Sequence, residues 1–308
     1  SGSYAAKIKL SNLAPDDLTK YIGYTIKFSA YVFVDGIAGK SSGKSVSLRW
    51  GIMGDREIAE IKANTYSVKP SEWTLMEFII DSADTAAIRR CIEFFPVAGV
   101  TTNPTIISKE KADFKTLIAE IRSIIGPDKM LHIQATGDTA EEICEEARAL
   151  KKIAGGDFYI KIPVSAEGLK AMRILNGEGI KITATAIFTQ QQALMAARAG
   201  ADFVAPYINR LDNIISDGVH VVEEIVEMFN KQGIKSQVLA ASFKNVEQVH
   251  KVAMVGCPAV TINPELFDQL IYHPLTLYAV DAFAADWEMV YGNKKIIDLL
   301  NSLKGLFL

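Results

Sequence analysis

The chain has 308 residues, of which 49 % are hydrophobic and 22 % are charged, and its formal net charge is −3. This is the composition of a globular protein with enough apolar material for one large domain and a small appendage. No basic patch is dense enough to predict a nucleic-acid partner, and no apolar run approaches the ~20 residues that cross a bilayer.

The cysteines and histidines are few and scattered along the chain. Three cysteines without a CxxC pair, together with four histidines, predict neither a metal site nor a disulfide framework. We therefore expect a reduced, cytoplasmic setting, without a bound metal.

Residues 1–75 carry short alternating segments that predict a small antiparallel β module. Tyr24–Val34 is a strand pattern that ends at a turn dipeptide, and further alternation follows at Lys44–Ile52 and Ile58–Val68. Three origins fit this module: a natural accessory domain, a fragment of a jelly-roll sandwich, or an engineered fusion. The start Ser1-Gly2-Ser3 and the abrupt change of pattern near residue 76 favour a fusion.

The role of the β module is open between glycan binding and protein binding. Trp50 and Trp73 would suit a platform for sugar stacking, although tryptophans of a small module more often belong to its core. The module joins the next domain without a linker. We therefore expect it to leave from the face opposite the active site and not to gate catalysis.

Residues 76–308 alternate between strand and helix patterns and predict a (β/α)8 barrel with a C-terminal helical tail. Amphipathic stretches such as Thr139–Ile153 and Gly218–Lys231 separate eight apolar runs. A parallel sheet with right-handed crossovers follows from this alternation, and eight repeats favour a closed TIM barrel. A doubly wound open sheet is the alternative, but the first strand is not followed by a glycine-rich turn.

Each of the eight apolar runs ends in a residue suited to polar chemistry. In a (β/α)8 barrel these strand ends surround the active site, so the set predicts a polar pocket of the size of a sugar. The residues are Asp81, Thr101 to Asn103, Gln134, Lys161, Thr185, Tyr207 to Arg210, Ser242 and Asn263.

Lys161 is the most informative of these residues because it interrupts the apolar segment Phe158–Val164. A lysine in an apolar run commonly covers an edge strand with its alkyl stem, but a closed barrel has no edge. A desolvated lysine favours its neutral, nucleophilic form, and such an amine forms imines with ketones. His132, by contrast, is expected to be a packing or hydrogen-bonding residue.

Four segments resemble the transaldolase family, and most closely its fructose-6-phosphate aldolase branch. They follow one another in order along the barrel and are specific in combination. The segments are Ala98–Pro104, Ile160–Gly168, Val204–Asp212 and Leu239–Lys244. The resemblance implies a class I aldolase that needs no cofactor and acts on sugar phosphates.

The resemblance also implies roles for single residues. Lys161 matches the lysine that forms the Schiff base, and Asp81 matches an aspartate that orients the amine and the substrate hydroxyls. Thr102 and Asn103 match a loop at the ketone end of the substrate.

The phosphate site is implied in the same way. Arg210 and Ser242 match residues that bind the substrate phosphate, a role for which a guanidinium and a hydroxyl are chemically suited. Without the motif, an ion pair of Arg210 with Asp212 or with a surface residue would be the expected role.

Two positions distinguish the branches of the family. Transaldolases proper place a carboxylate at the end of the third strand, where this chain has Gln134, and usually a phenylalanine where it has Tyr207. A glutamine cannot accept a proton, whereas a phenol can transfer one. This pairing favours the aldolase, with Gln134 and Thr185 holding a catalytic water, over transfer of a dihydroxyacetone unit.

The tail Leu277–Leu308 contains Trp287, Tyr291 and an apolar ending that an isolated domain would be expected to bury. The resemblance implies that the last helix packs on a neighbouring subunit, in a homo-oligomer that is a decamer in the aldolase branch. A barrel that serves only as a scaffold for displaying the β module is the non-catalytic alternative. The filled set of catalytic positions argues against it.

Overall fold

The structure is a computed structural model that describes residues 49–54, 57–62 and 76–302. The chain divides into two compact units, residues 1–74 and residues 75–308. In the first unit, strands β1 (Arg49–Gly54) and β2 (Glu57–Lys62) pair antiparallel, with Arg49 opposite Lys62. The strand predicted at Tyr24–Val34 lies outside the described residues.

The second unit is a closed barrel of eight parallel strands, which confirms the predicted (β/α)8 fold and excludes the open sheet. The last strand pairs with the first, with Val260 opposite Phe78, so no barrel edge is left unpaired. The strands are β3 (Glu77–Asp81), β4 (Val97–Thr101), β5 (Met130–Gln134), β6 (Phe158–Pro163), β7 (Lys181–Ile187), β8 (Phe203–Pro206), β9 (Gln237–Ala240) and β10 (Ala259–Ile262).

Helices separate the strands, and most of them begin at a capping side chain. Thr139 and Thr189 each form a reciprocal capping box, with Glu142 and Gln192 respectively, which satisfies amide groups that the first helical turn leaves free. The helices are Thr85–Phe94, Pro104–Glu110, Phe114–Ile125, Ala140–Ala154, Ala166–Gly177, Gln190–Arg198, Ile208–Asp212, Gly218–Gln232, Val246–Met254, Pro264–Ile271, Pro274–Tyr291 and Ile296–Ser302.

The core has two parts, as the alternation of side chains along a strand requires. Outward-facing residues such as Ile80, Leu131 and Ile160 pack against the surrounding helices. A smaller cluster fills the barrel below the site and comprises Ile79, Met130, Tyr159, Phe203, Leu239 and Ala259. The barrel interior is therefore solid at its base, and polar side chains begin above this layer.

Three strands, β6, β7 and β9, end two residues away from the ends of the apolar runs, and the other strand ends agree to within one residue. Strand β6 continues past Lys161 to Pro163, so the lysine lies within the strand rather than at its end. Strand β9 stops at Ala240, which places Ser242 in the following loop at a φ of 65°. Apolarity reports burial, whereas a strand extends as far as its backbone pairing, so the two need not coincide.

No helix among the described residues is long and apolar enough to cross a membrane.

Candidate active site

Lys161 lies inside the barrel, where its side chain is almost wholly buried, with a residual exposure of 4 %. Its Nζ donates a hydrogen bond to the backbone carbonyl of Thr102 at 3.0 Å. Thr102 is itself fixed, because its backbone N–H and its hydroxyl both donate to the carbonyl of His132, at 2.9 and 3.2 Å. The amine is therefore oriented by a loop that is anchored to the neighbouring strand.

Asp81 ends strand β3 and lies within electrostatic range of the lysine. Burial raises the pKa of its carboxyl, and two weaker effects oppose this rise: the charge of Lys161 and a hydrogen bond from Thr101. The Thr101 hydroxyl lies 2.7 Å from Asp81 Oδ1 and 2.6 Å from the hydroxyl of Thr261. No hydrogen bond joins Asp81 directly to Lys161 within the described part of the chain.

Gln134 is the register partner of Lys161 in the pairing of β5 with β6. The two inward-facing side chains are therefore neighbours on adjacent strands, and Gln134 is partly exposed towards the pocket. The backbone N–H of Ala135 donates to the Lys161 carbonyl at 2.9 Å and keeps the two strand ends together.

Thr185 and Tyr207 meet directly, with 2.9 Å between their hydroxyl oxygens. The register shifts in β7 between Ala184 and Ile187, and Ala186 adopts a φ of 56° immediately after Thr185. Such irregularities change the direction of a side chain at the end of a strand. Tyr207 follows β8, and the edge of its ring contacts Phe188.

Arg210 and Ser242 lie in neighbouring loops that the backbone joins, since the N–H of Asn209 donates to the Ser242 carbonyl at 2.8 Å. The guanidinium of Arg210 is exposed and lies 5.0 Å from the centre of the Tyr207 ring. The guanidinium makes no hydrogen bond or ion pair with another described residue.

The alternative role for Arg210, an ion pair with Asp212, is wrong for the described residues. The two Asp212 carboxylate oxygens accept from the backbone N–H of Gly218 at 3.0 Å and from Gln248 Nε2 at 2.6 Å. Asp212 therefore fixes the loop that carries Arg210. The Arg210 guanidinium forms no ion pair with any described residue.

Asn103 has a structural task that the sequence analysis did not assign to it. Its side-chain oxygen accepts the N–H of Ile106 at 3.0 Å and caps the helix Pro104–Glu110. The amide nitrogen of this side chain donates no hydrogen bond within the described residues, and the side-chain oxygen keeps a second lone pair.

Thr101 and Thr183 are the site residues that sequence reasoning did not single out for a role. Thr183 is the register partner of Lys161 on β7 and hydrogen-bonds to Nδ1 of His132 at 2.8 Å. His132 is thus a packed and hydrogen-bonded residue, as predicted. A threonine on an inward-facing position of β4 or β7 was the available signal, but threonine is also a common strand residue.

Two further findings delimit the site. The described residues contain no group of three or more histidine, cysteine or carboxylate side chains that could hold a metal ion. A cavity of about 540 Å³ is lined by Lys181, Phe203 and Gln237, which begin or nearly begin their strands. That cavity lies at the opposite end of the barrel from the polar strand ends.

The family assignment comes from comparison with known proteins. The model of the family described as transaldolase/fructose-6-phosphate aldolase matches residues 78–299. The chain belongs to this family. The match covers every strand of the barrel, in agreement with the four resembling segments.

Some curated relatives in this family are named as aldolases and others as transaldolases. A probable fructose-6-phosphate aldolase of Streptococcus pneumoniae is 39 % identical over 222 residues, which are 72 % of this chain and 100 % of that protein. A probable transaldolase 2 of Bacillus cereus is 42 % identical over 216 residues, 69 % of this chain and 97 % of that protein. Family membership is therefore shown, while both activities occur among the names.

A solved structure described as a native KDPGal structure aligns with a TM-score of 0.45 and 14 % identity, over 65 % of this chain and 84 % of that chain.

Proposed function

We propose that the protein is a class I aldolase that cleaves or forms fructose 6-phosphate, with dihydroxyacetone and glyceraldehyde 3-phosphate as the partners. One observation carries the choice within the family. The phenol of Tyr207 is hydrogen-bonded to Thr185, while the residue beside Lys161 on β5 is Gln134 rather than a carboxylate. The proton-transfer group is then a phenol.

Covalent catalysis begins at Lys161. The amine attacks the C2 carbonyl of the ketose phosphate, and loss of water gives an iminium ion. The Thr102 carbonyl directs the amine, and the neighbouring Asp81 carboxylate stabilises the positive charge of the iminium. Burial excludes bulk water from the imine, so that hydrolysis awaits the release of the first product.

Bond cleavage requires removal of the proton from the C4 hydroxyl. Tyr207, in its phenolate form, accepts this proton through a water held by Gln134 and Thr185, and the resulting phenol later returns a proton to C3 of the enamine. The C3–C4 bond then breaks, its electrons flow into the iminium, and glyceraldehyde 3-phosphate leaves. The remaining enamine is protonated at C3 and hydrolysed to dihydroxyacetone, which restores the free lysine.

Arg210 and Ser242 bind the phosphate of the substrate. Their loops are held together by the bond from Asn209 to Ser242, and Arg210 lies over the Tyr207 ring. Phosphate binding and proton transfer therefore share one side of the barrel mouth, and the guanidinium supplies charge-assisted hydrogen bonds.

The second candidate is a transaldolase, which the names of several relatives favour. Such an enzyme holds the enamine until a second aldehyde arrives, instead of hydrolysing it. The two activities share the lysine, the aspartate and the phosphate site, so only the fate of the enamine separates them.

Trapping with borohydride tests the covalent step. The protein is incubated with dihydroxyacetone, reduced, and mapped by peptide mass. We expect a reduced adduct on Lys161 and none in Lys161→Met, whereas Lys181→Met, a strand lysine paired with Asp157, serves as the matched control and keeps the adduct. A folded wild-type protein without an adduct would refute the proposal.

Product analysis separates the two activities. The aldolase releases free dihydroxyacetone from fructose 6-phosphate in the absence of an acceptor aldehyde, and Tyr207→Phe should lower this release on the order of 10²-fold. Release that depends on an added acceptor would assign the transaldolase activity instead.

The protein is further proposed to act as a homo-oligomer in the cytoplasm. Its three cysteines are free and buried, which fits a reducing compartment. The apolar side chains exposed on the last two described helices fit contacts with further copies of the chain.

A further inference from the structure

His132 lies wholly inside the barrel, with a side-chain exposure of 0 %. Its ring stacks on Tyr159 with 4.5 Å between the ring centres, and it packs against Phe203 in a T-shaped arrangement with 5.6 Å between the ring centres. Nδ1 pairs with the Thr183 hydroxyl at 2.8 Å. Nε2 is buried and has no hydrogen-bond partner among the described residues.

An unpaired nitrogen at this position costs stability, because a buried polar atom loses its bonds to water and gains nothing in return. A phenylalanine would keep the stacking on Tyr159 and Phe203 without that loss. Packing alone therefore does not explain a histidine here. The position of the ring next to the candidate nucleophile suggests what does.

Two routes connect His132 to Lys161. Through the main chain, the His132 carbonyl accepts both hydrogen bonds of Thr102, and the Thr102 carbonyl accepts the bond from Nζ. Through the side chain, the bond to Thr183 joins β5 to β7 on the inner side of β6, the strand that carries the lysine.

The His132 ring is uncharged in this environment. Burial, together with the charges of Lys161 and Lys181, holds the pKa of His132 well below its usual value. The imidazole is therefore neutral, and it braces the strands without placing a second cation beneath the amine. Tyr159 and Thr183, which pack against it, are uncharged at neutral pH.

We propose that His132 is a positioning residue for Lys161. The inference rests on the proposed imine chemistry at that lysine. The His132–Thr183 bond fixes β5 against β7, which fixes the His132 carbonyl, the Thr102 loop and hence the direction of Nζ. The unpaired Nε2 of His132 lowers the stability of the fold, whereas the bond from Nδ1 to Thr183 aligns the amine of Lys161.

The test compares His132→Phe with the wild-type chain in three measurements: the rate of borohydride trapping, the split between kcat and KM, and the melting temperature. We expect trapping and kcat to fall on the order of ten-fold, since a small misalignment of a reacting group is costly. KM should stay within a factor of about two, and the melting temperature should be unchanged or higher.

Three further variants keep the test decisive. Thr183→Val removes the same bond from the other strand and should slow trapping, while His132→Asn, which retains a polar atom near the position of Nδ1, should restore part of the rate. Tyr159→Phe keeps the stacking and removes only a hydroxyl that contacts Lys181, so it should trap at the wild-type rate.

Trapping at the wild-type rate in His132→Phe would overturn the inference. So would a loss of activity that merely follows a loss of folded protein. Absence of any adduct in the wild-type chain would instead refute the aldolase proposal itself, and that result is recognised before any variant is compared.

Discussion

At the scale of single residues, three polar side chains of the candidate site each meet another polar group. Lys161 is held by a carbonyl, Asp81 by a hydroxyl, and Tyr207 by Thr185. A buried polar group without such a partner would cost roughly 1–3 kcal/mol. The polar residues of the site therefore form small hydrogen-bonded groups, and changing one residue is expected to affect its partner.

Burial of Asp81 is expected to cost folding stability, although the residue is proposed to take part in catalysis. Its pKa is raised, mainly by burial, so the folded state holds this proton more tightly than the unfolded state does. The stability from this group is complete below the unfolded pKa and is lost as the pH rises through the folded pKa. Desolvation of the ionised carboxyl therefore costs folding stability at a pH above the unfolded pKa.

Asp81→Asn mimics the protonated carboxyl and removes the titration. At pH 7 we expect a melting temperature higher by about 2–4 °C, and a difference that vanishes towards about pH 3, because the wild-type carboxyl is protonated there in both states. Aldol cleavage should fall on the order of 10²-fold. Calorimetry at the two pH values measures the first effect, and a variant less stable than wild type at pH 7 contradicts it.

At the scale of elements, close backbone approaches hold the strand ends in place. The helix Ala166–Gly177 begins directly after β6, and Ser165 caps it through the N–H of Gly168 at 3.0 Å. A Cβ on Gly168 would overlap the carbonyl oxygen of Pro163, two residues after the lysine. This glycine therefore sets how closely the helix follows the catalytic strand.

Gly168→Ala is expected to destabilise the protein by about 1–3 kcal/mol and to lower activity, because the backbone near Lys161 must shift. Gly177→Ala is the matched control, since a Cβ there meets nothing within 4 Å. It should be neutral or stabilise by up to about 1 kcal/mol. Urea unfolding of both variants gives the comparison, and equal midpoints would show that the close approach is unimportant.

At the scale of the whole molecule, the match to the family lies entirely within the barrel unit. The alignments with the two relatives span 222 and 216 residues and include 100 % and 97 % of those proteins. The match to the family model begins at residue 78 of this chain. Residues 1–75 are therefore additional to what these relatives possess.

A chain of residues 76–308 should keep kcat/KM within about two-fold of the full chain, because a domain with its own core folds by itself. The comparison requires equal concentrations of folded enzyme, checked by circular dichroism. Loss of aldol cleavage in a folded, truncated protein would show that the N-terminal unit takes part in catalysis.

The last helices expose more apolar surface than a lone domain would be expected to carry. Phe283 is 70 % exposed on the helix Pro274–Tyr291. Other exposed apolar residues of the two last described helices are Leu275, Leu277, Tyr278, Val280, Met289, Val290, Tyr291, Ile296, Ile297 and Leu300. A surface of this kind is typical of an interface between subunits.

Phe283→Asp should therefore reduce the particle size measured by light scattering, because a buried charge opposes association. Met254→Asp is the matched control: this methionine is 73 % exposed but lies on another helix, Val246–Met254, and its substitution should leave the size unchanged. A wild-type chain that scatters as a monomer would refute the proposed homo-oligomer.

The amino-acid sequence was sufficient to predict the fold and to indicate the family. Eight apolar runs separated by capped amphipathic stretches predict a (β/α)8 barrel, because burial and helix capping are local properties of a sequence. The segments around Asn103, Lys161, Arg210 and Ser242 carried the resemblance to the family, and the comparison bears it out. The chemical roles of these residues remain predictions.

The contacts between side chains became known only from the three-dimensional structure. It showed that Asn103 caps a helix, that Asp212 bonds to Gly218 and Gln248 rather than to Arg210, and that His132 reaches Thr183 beneath Lys161. Two of these contacts join residues that are 36 and 51 positions apart in the sequence. The other two, at Asn103 and between Asp212 and Gly218, lie within a short stretch of chain. Barrel closure, strand register and the bulge at Ala186 set such distances, and none of these is a local property of the chain.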